Sequence, residues 1–205
     1  MLDGWMRRWM DPGLDAAGLR LAARGVTADG VTLAGLALGL VAAGVIALGG
    51  AGWVALMPLL ASRVADGLDG AVARARGKTD FGGYLDIVCD FVFYAAIPMA
   101  FVLRDPGVNA VAGAFLLASF YVNGTTFLGY AVLAEKRGMA TRERGEKSLY
   151  FTAGLLEGTE TIGFFVILCL VPGWFAPLAW VFGALCFVTA GARVWLAVRT
   201  FRRLS

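Results

Sequence analysis

Four aspartates in this chain stand at spacings that bring carboxylates together. Asp66 and Asp69 are three residues apart, and Asp86 and Asp90 are four apart. On a helix, residues at either spacing share a face. Only a short stretch around Gly77 separates the two pairs, so the helices carrying them are expected to pack antiparallel, with all four carboxylates near one membrane surface. A charged side chain in a spanning helix costs about 2.5–3.5 kcal/mol on insertion scales, so a cluster of four needs a counter-ion. Oxygen-only donors suit Mg²⁺, Mn²⁺ or Ca²⁺. Zinc is disfavoured, because the chain has no histidine and Cys89, Cys169 and Cys186 show no paired spacing. A diphosphate bridging two such ions, attacked in line by an alcohol oxygen whose proton passes to a carboxylate, is the chemistry this pattern fits.

The residues between the pairs support that reading. Gly70 and Ala73 continue the face of Asp69, leaving nearly bare backbone where a phosphorylated ligand can approach closely. Arg74 adds a forked donor suited to phosphate. Small residues on membrane helices also serve tight packing, but packing alone gives no use to Arg74 or to four clustered acids. A cation transporter or channel is the competing class. It calls for acidic residues spread through the membrane depth, whereas these gather near one end.

The elements that position the aspartates are apolar. Of 205 residues, 59% are hydrophobic and 16% charged, and mean hydropathy is +0.73. Soluble domains are nearer half apolar and a quarter charged. Six segments approach the roughly 20 apolar residues a spanning helix needs. They are 31–50, 53–74, 82–103, 108–134, 149–171 and 178–199. Fifteen of the 18 Lys and Arg fall before the first span, around Gly77, between the fourth and fifth spans, or after the last. By the positive-inside rule, both termini and the aspartate end face the cytoplasm. Residues 1–24 carry Arg7, Arg8, Arg20 and Arg24 without a long apolar core, unlike a signal peptide. Trp5, Met6, Trp9 and Met10 recur at helical spacing, Pro12 and Gly13 interrupt, and an apolar stripe resumes over 14–23. That pattern predicts an amphipathic segment at the headgroup level. The expected fold is an all-α membrane protein, with a juxtamembrane segment over 1–24 and a six-helix transmembrane domain over 25–205.

The run Asp66-x-x-Asp69-Gly70-x-x-Ala73-Arg74, then seven residues, then Gly82-x-x-x-Asp86-x-x-x-Asp90 resembles the signature of the CDP-alcohol phosphotransferase family of membrane enzymes. All eight fixed positions are present. The gap is one residue shorter than the commoner form, which leaves both helical pairs intact. The stretch from Gly25 to Thr32 also resembles the approach to the family's first span. The resemblance implies metal ligation by Asp66, Asp69 and Asp86, with Asp90 a ligand that also acts as general base. It implies that Gly70, Ala73, Arg74 and Gly82 line the CDP part of the donor. It further implies a binuclear Mg²⁺ or Mn²⁺ centre and a homodimer. The expected partners are a CDP-linked lipid donor, an alcohol acceptor and membrane lipids, and not nucleic acid.

Such enzymes either pass a phosphatidyl group from CDP-diacylglycerol to a polar alcohol, such as glycerol phosphate, inositol phosphate or serine, or pass phosphocholine or phosphoethanolamine to diacylglycerol. The short chain favours the first. Arg142, Arg144 and Lys147, just before the fifth span, are candidates for holding an acceptor phosphate or anionic lipid. Glu157 and Glu160, three apart inside that span, are candidates for binding acceptor hydroxyls or a cationic headgroup beside a hydrated cavity, or for a structural role, protonated or paired with Arg63 or Arg193.

Overall fold

The computed structural model describes residues 3–139, 156 and 158–202. Among these, the long elements are seven helices: α1 (Asp3–Ala23), α2 (Ala28–Ala47), α3 (Gly52–Arg76), α4 (Asp80–Arg104), α5 (Pro106–Lys136), α6 (Gly158–Leu170) and α7 (Phe175–Phe201). A 3-10 turn, Pro172–Trp174, joins the last two. Local chemistry sets the boundaries. Thr27 caps α2 by accepting the Gly30 N–H, Thr79 caps α4 by accepting the Gly82 N–H, and Asp105 caps α5 with Pro106 in its first turn. Helix α3 stops at Gly77, whose φ of 104° suits a residue without a side chain.

The six expected spans map onto α2 to α7. Helices α2, α4, α5 and the stretch Pro172–Phe201 are long and apolar enough to cross a bilayer. With its 25 residues α3 is equally long, but Arg63, Asp66, Asp69, Arg74 and Arg76 interrupt its apolar run. The first half of the fifth expected span lies outside the described residues, and α6 is its remainder.

Two features differ from expectation. The helix α1 runs through Pro12 without a break. A proline inside a helix removes one hydrogen bond and crowds the preceding turn. Docking beyond that point compensates: Leu14 lies against Gly67, and Gly18 lies against Ala71 and Val72, so closely that neither glycine could carry a side chain without displacing its neighbour. The second difference is that α3 and α4 do not chiefly pack on each other. Both pack mainly on α2, which lies between them. Its glycines explain why. Gly35 sits close over Ala65 and Ser62 of α3, and Gly39 fits between Phe93 of α4 and Ser62. The two helices carrying the aspartates are thereby held at a separation that side chains, not backbones, must bridge.

The apolar core fills the half of the bundle remote from Gly77. It is built from Ile46, Leu59, Phe93, Ile97, Phe101, Leu116, Phe165, Leu168, Phe175 and their neighbours. Aromatic pairs lock it: Phe101 stacks on Phe175 at 5.0 Å, and Phe164 on Phe182 at 4.0 Å. Such pairs add about 0.5–1.5 kcal/mol beyond burial. A rigid half of this kind fixes where the polar half of each helix begins.

Candidate metal centre

At the polar end, Asp66, Asp69 and Asp86 each present a carboxylate oxygen within 4.8 Å of the other two. Two come from α3 and one from α4, so the group forms across the gap that α2 holds open. Asp69 is buried at 6% exposure. Its Oδ2 accepts a 2.6 Å hydrogen bond from Thr32 of α2, a charge-assisted bond that fixes the carboxylate's orientation. A set made only of carboxylate oxygens fits a hard divalent cation such as Mg²⁺ or Mn²⁺.

Asp90 lies one turn further along α4, about 6 Å deeper on helical rise, and has a different neighbour. Arg63 of α3 donates from Nη1 to Asp90 Oδ1 at 2.9 Å, with Asp66 Oδ1 at 3.5 Å from the same nitrogen. The guanidinium also donates from Nη2 to Ser62 at 3.2 Å and lies over the Phe93 ring, 3.8 Å from its centroid. All four aspartates therefore meet at one end of the bundle, three as a cluster and the fourth beside an arginine.

The rim is formed by the small residues. Among the described residues, only Arg74 Nη1 approaches the space where a Gly70 side chain would stand, so the helix surface beside Asp69 is open there. Ala73 is half-buried one turn on. Gly82, in the first turn of α4, lies so near Asp29 of α2 that a side chain there would crowd its carboxylate. Arg74 is engaged with α1, donating to Asp15 Oδ1 from Nε at 3.2 Å and Nη2 at 2.6 Å. Arg76 donates to the Val26 carbonyl at 2.8 Å, tying the α1–α2 connection to the end of α3.

Of the acceptor-side candidates, Arg142, Arg144, Lys147 and Glu157 lie outside the described residues. Glu160 is half-buried in the first turn of α6. Arg193 donates to the Asn123 backbone and side-chain oxygens and to Thr126, linking α7 to α5. Sequence reasoning missed three participants: Thr32, Asp15 and the role of Arg63. The signal for Arg63 was present, since it stands three residues before Asp66 on the same face.

Comparison with known proteins agrees with this arrangement. The family model for CDP-alcohol phosphatidyltransferase matches residues 25–198. A curated relative, the inner membrane protein YnjF of Escherichia coli (strain K12), is 48% identical over 156 residues, covering 75% of this chain and 76% of that protein. The crystal structure of Mycobacterium tuberculosis phosphatidylinositol phosphate synthase (PgsA1) with CDP-DAG bound superposes with a TM-score of 0.69 at 21% identity, over 90% of this chain and 93% of that one. The fold is shared. The chain belongs to the CDP-alcohol phosphatidyltransferase family, and it is an integral membrane phosphotransferase.

Proposed function

We propose that this enzyme transfers a phosphatidyl group from CDP-diacylglycerol to a small polar alcohol, releasing CMP. The observation that carries the reading is the cluster of Asp66, Asp69 and Asp86 beside the open helix surface at Gly70. Support for the donor comes from the shared fold with a synthase whose structure holds CDP-DAG. A phosphorylated acceptor such as inositol phosphate or glycerol phosphate suits the basic residues Arg142, Arg144 and Lys147, with Glu157 and Glu160 as contacts for hydroxyls.

Two divalent ions, Mg²⁺ or Mn²⁺, held by Asp66, Asp69 and Asp86 with Asp90 as a further ligand, would screen the diphosphate and polarise its phosphoryl oxygens. The chain's own groups do the rest. Gly70 and Ala73 let the CDP moiety lie against α3, Gly82 closes the α4 side, and Arg74 reaches the phosphates in exchange for Asp15. Asp90 takes the acceptor's proton. The acceptor oxygen bonds to the phosphorus that bears diacylglycerol, and the bond from that phosphorus to the bridging oxygen breaks, that oxygen leaving with CMP. The positive-inside bias of the sequence supports the cytoplasmic face for this end, and the family resemblance supports a homodimer as the working unit.

The test is to incubate purified enzyme in mixed micelles with CDP-diacylglycerol, Mg²⁺ and a panel of polar alcohols, measuring CMP. Release with one or a few acceptors is expected. Release only from CDP-choline or CDP-ethanolamine with diacylglycerol would reverse donor and acceptor.

A further inference from the structure

Among the described residues, Arg63 is the cation placed among the four aspartates, and the residues that hold it are not only its acidic partners. Its side chain is 10% exposed. The guanidinium plane rests on Phe93, itself fully buried. Nη2 is bonded to Ser62, also fully buried, and Nε is buried with no hydrogen-bond partner among the described residues. A long side chain held by a ring face, a neighbouring hydroxyl and two carboxylates has little freedom to swing away. The contacts on Phe93 and Ser62 belong to the edge of the rigid core, so the cation is part of the scaffold. Of its two acidic partners, Asp90 is the closer, at 2.9 Å against 3.5 Å for Asp66.

We infer that Arg63 is a positioning residue of the transfer reaction: it fixes Asp90 Oδ1, leaving Oδ2 to serve both as the further ligand and toward the acceptor hydroxyl, and it restrains Asp90 from closing fully onto the carboxylate cluster formed by Asp66, Asp69 and Asp86. This rests on the proposed role of Asp90 as proton acceptor. In the step itself, the proton leaves the acceptor hydroxyl for Asp90 Oδ2 as the acceptor oxygen bonds to phosphorus and CMP departs. Arg63 exchanges no proton. Its guanidinium keeps the carboxylate aligned, and its fixed positive charge opposes excess cation binding beside Asp66.

The inference predicts opposite signs for two measurements on Arg63→Met. Turnover falls by about 100-fold, the scale of losing an aligned proton acceptor, while KM for the CDP-lipid stays within roughly threefold. Mn²⁺ binding without substrate, read by electron paramagnetic resonance of free Mn²⁺, tightens on the order of tenfold, because a cation beside Asp66 is gone and Asp90 is released to the cluster. Arg63→Lys keeps the charge but not the fork, so it restores wild-type Mn²⁺ affinity and only part of the turnover. Merely structural damage would weaken both properties together, and that result, or unchanged turnover in Arg63→Met, overturns the proposal. Should the wild-type enzyme release no CMP from CDP-diacylglycerol with any acceptor, the donor assignment fails by itself. The Mn²⁺ comparison then decides Arg63: tighter binding in Arg63→Met supports its place in the site, and unchanged or weaker binding removes it.

Discussion

Two arginines on α3 face acidic partners, and the contrast between them separates the inner and outer halves of the site. Arg63 is 10% exposed, and its partner Asp90 is 32% exposed. Arg74 is 47% exposed, and its partner Asp15 is 50% exposed. The inner pair is also held by a buried ring and a buried hydroxyl. The outer pair joins α3 to α1, which also packs against it at Leu14 and Gly18. Removing one partner of a buried pair strands the other, whereas an exposed pair contributes about 0–1 kcal/mol. The inner pair is therefore the more firmly held, and the outer pair the easier to part.

The largest effect expected from breaking this contrast is at Asp90. Asp90→Asn keeps the shape but cannot take a proton, so turnover should fall by at least about 100-fold. The variant should still fold and insert in the membrane, with a lowered unfolding temperature in detergent because Arg63 keeps only Asp66 as a charged partner. Turnover within a few-fold of wild type would remove Asp90 from the mechanism and, with it, the reason to separate it from the other three aspartates.

Next in size is Thr32, which connects the inner half to α2. Thr32→Val is nearly isosteric and deletes the 2.6 Å bond to Asp69. A hydrogen bond to a charged group is worth about 1.5–3 kcal/mol, which converts to a drop on the order of tenfold or more in kcat/KM and a matching loss of Mn²⁺ affinity. Equal Mn²⁺ affinity in Thr32→Val and wild type would mean that Asp69 is oriented by α3 alone.

The aspartate spacing made much of the site legible in advance. Spacings of three and four on helices joined by a short turn bring four carboxylates to one end of the bundle, and they do meet there. The apolar segments and the charge-rich connections likewise located the helices, because hydropathy and chain reversal are local properties. What was not legible is pairing between distant parts of the chain. Thr32 and Asp69 are 37 residues apart, and Arg74 and Asp15 are 59 apart. Periodicity tells which face of a helix is apolar, but not which helix covers it. Gly35 and Gly39 read as two more small residues in a span, yet they let α2 lie between α3 and α4. Nor does a proline rule tell whether later docking, here Leu14 and Gly18 on α3, carries a helix through Pro12.

The smallest expected effect is the most informative about the outer half. If Arg74 serves the donor's phosphates, Asp15 competes with them for the same guanidinium. Asp15→Asn removes that competition at little structural cost, since the pair is about half exposed and such pairs contribute about 0–1 kcal/mol. The thermal midpoint in detergent should therefore barely move, and KM for the CDP-lipid should fall by roughly two- to threefold with kcat unchanged. Arg74→Lys should do the reverse, raising KM, because a point charge replaces a fork that can hold two phosphate oxygens at once. Combining the two substitutions distinguishes competition from independent action. Under competition, Asp15→Asn gains little once Arg74 is Lys, so the effects are not additive. A rise in KM for Asp15→Asn would instead mean that Asp15 holds Arg74 in the orientation the donor needs, making α1 a wall of the site and not a rival for its arginine.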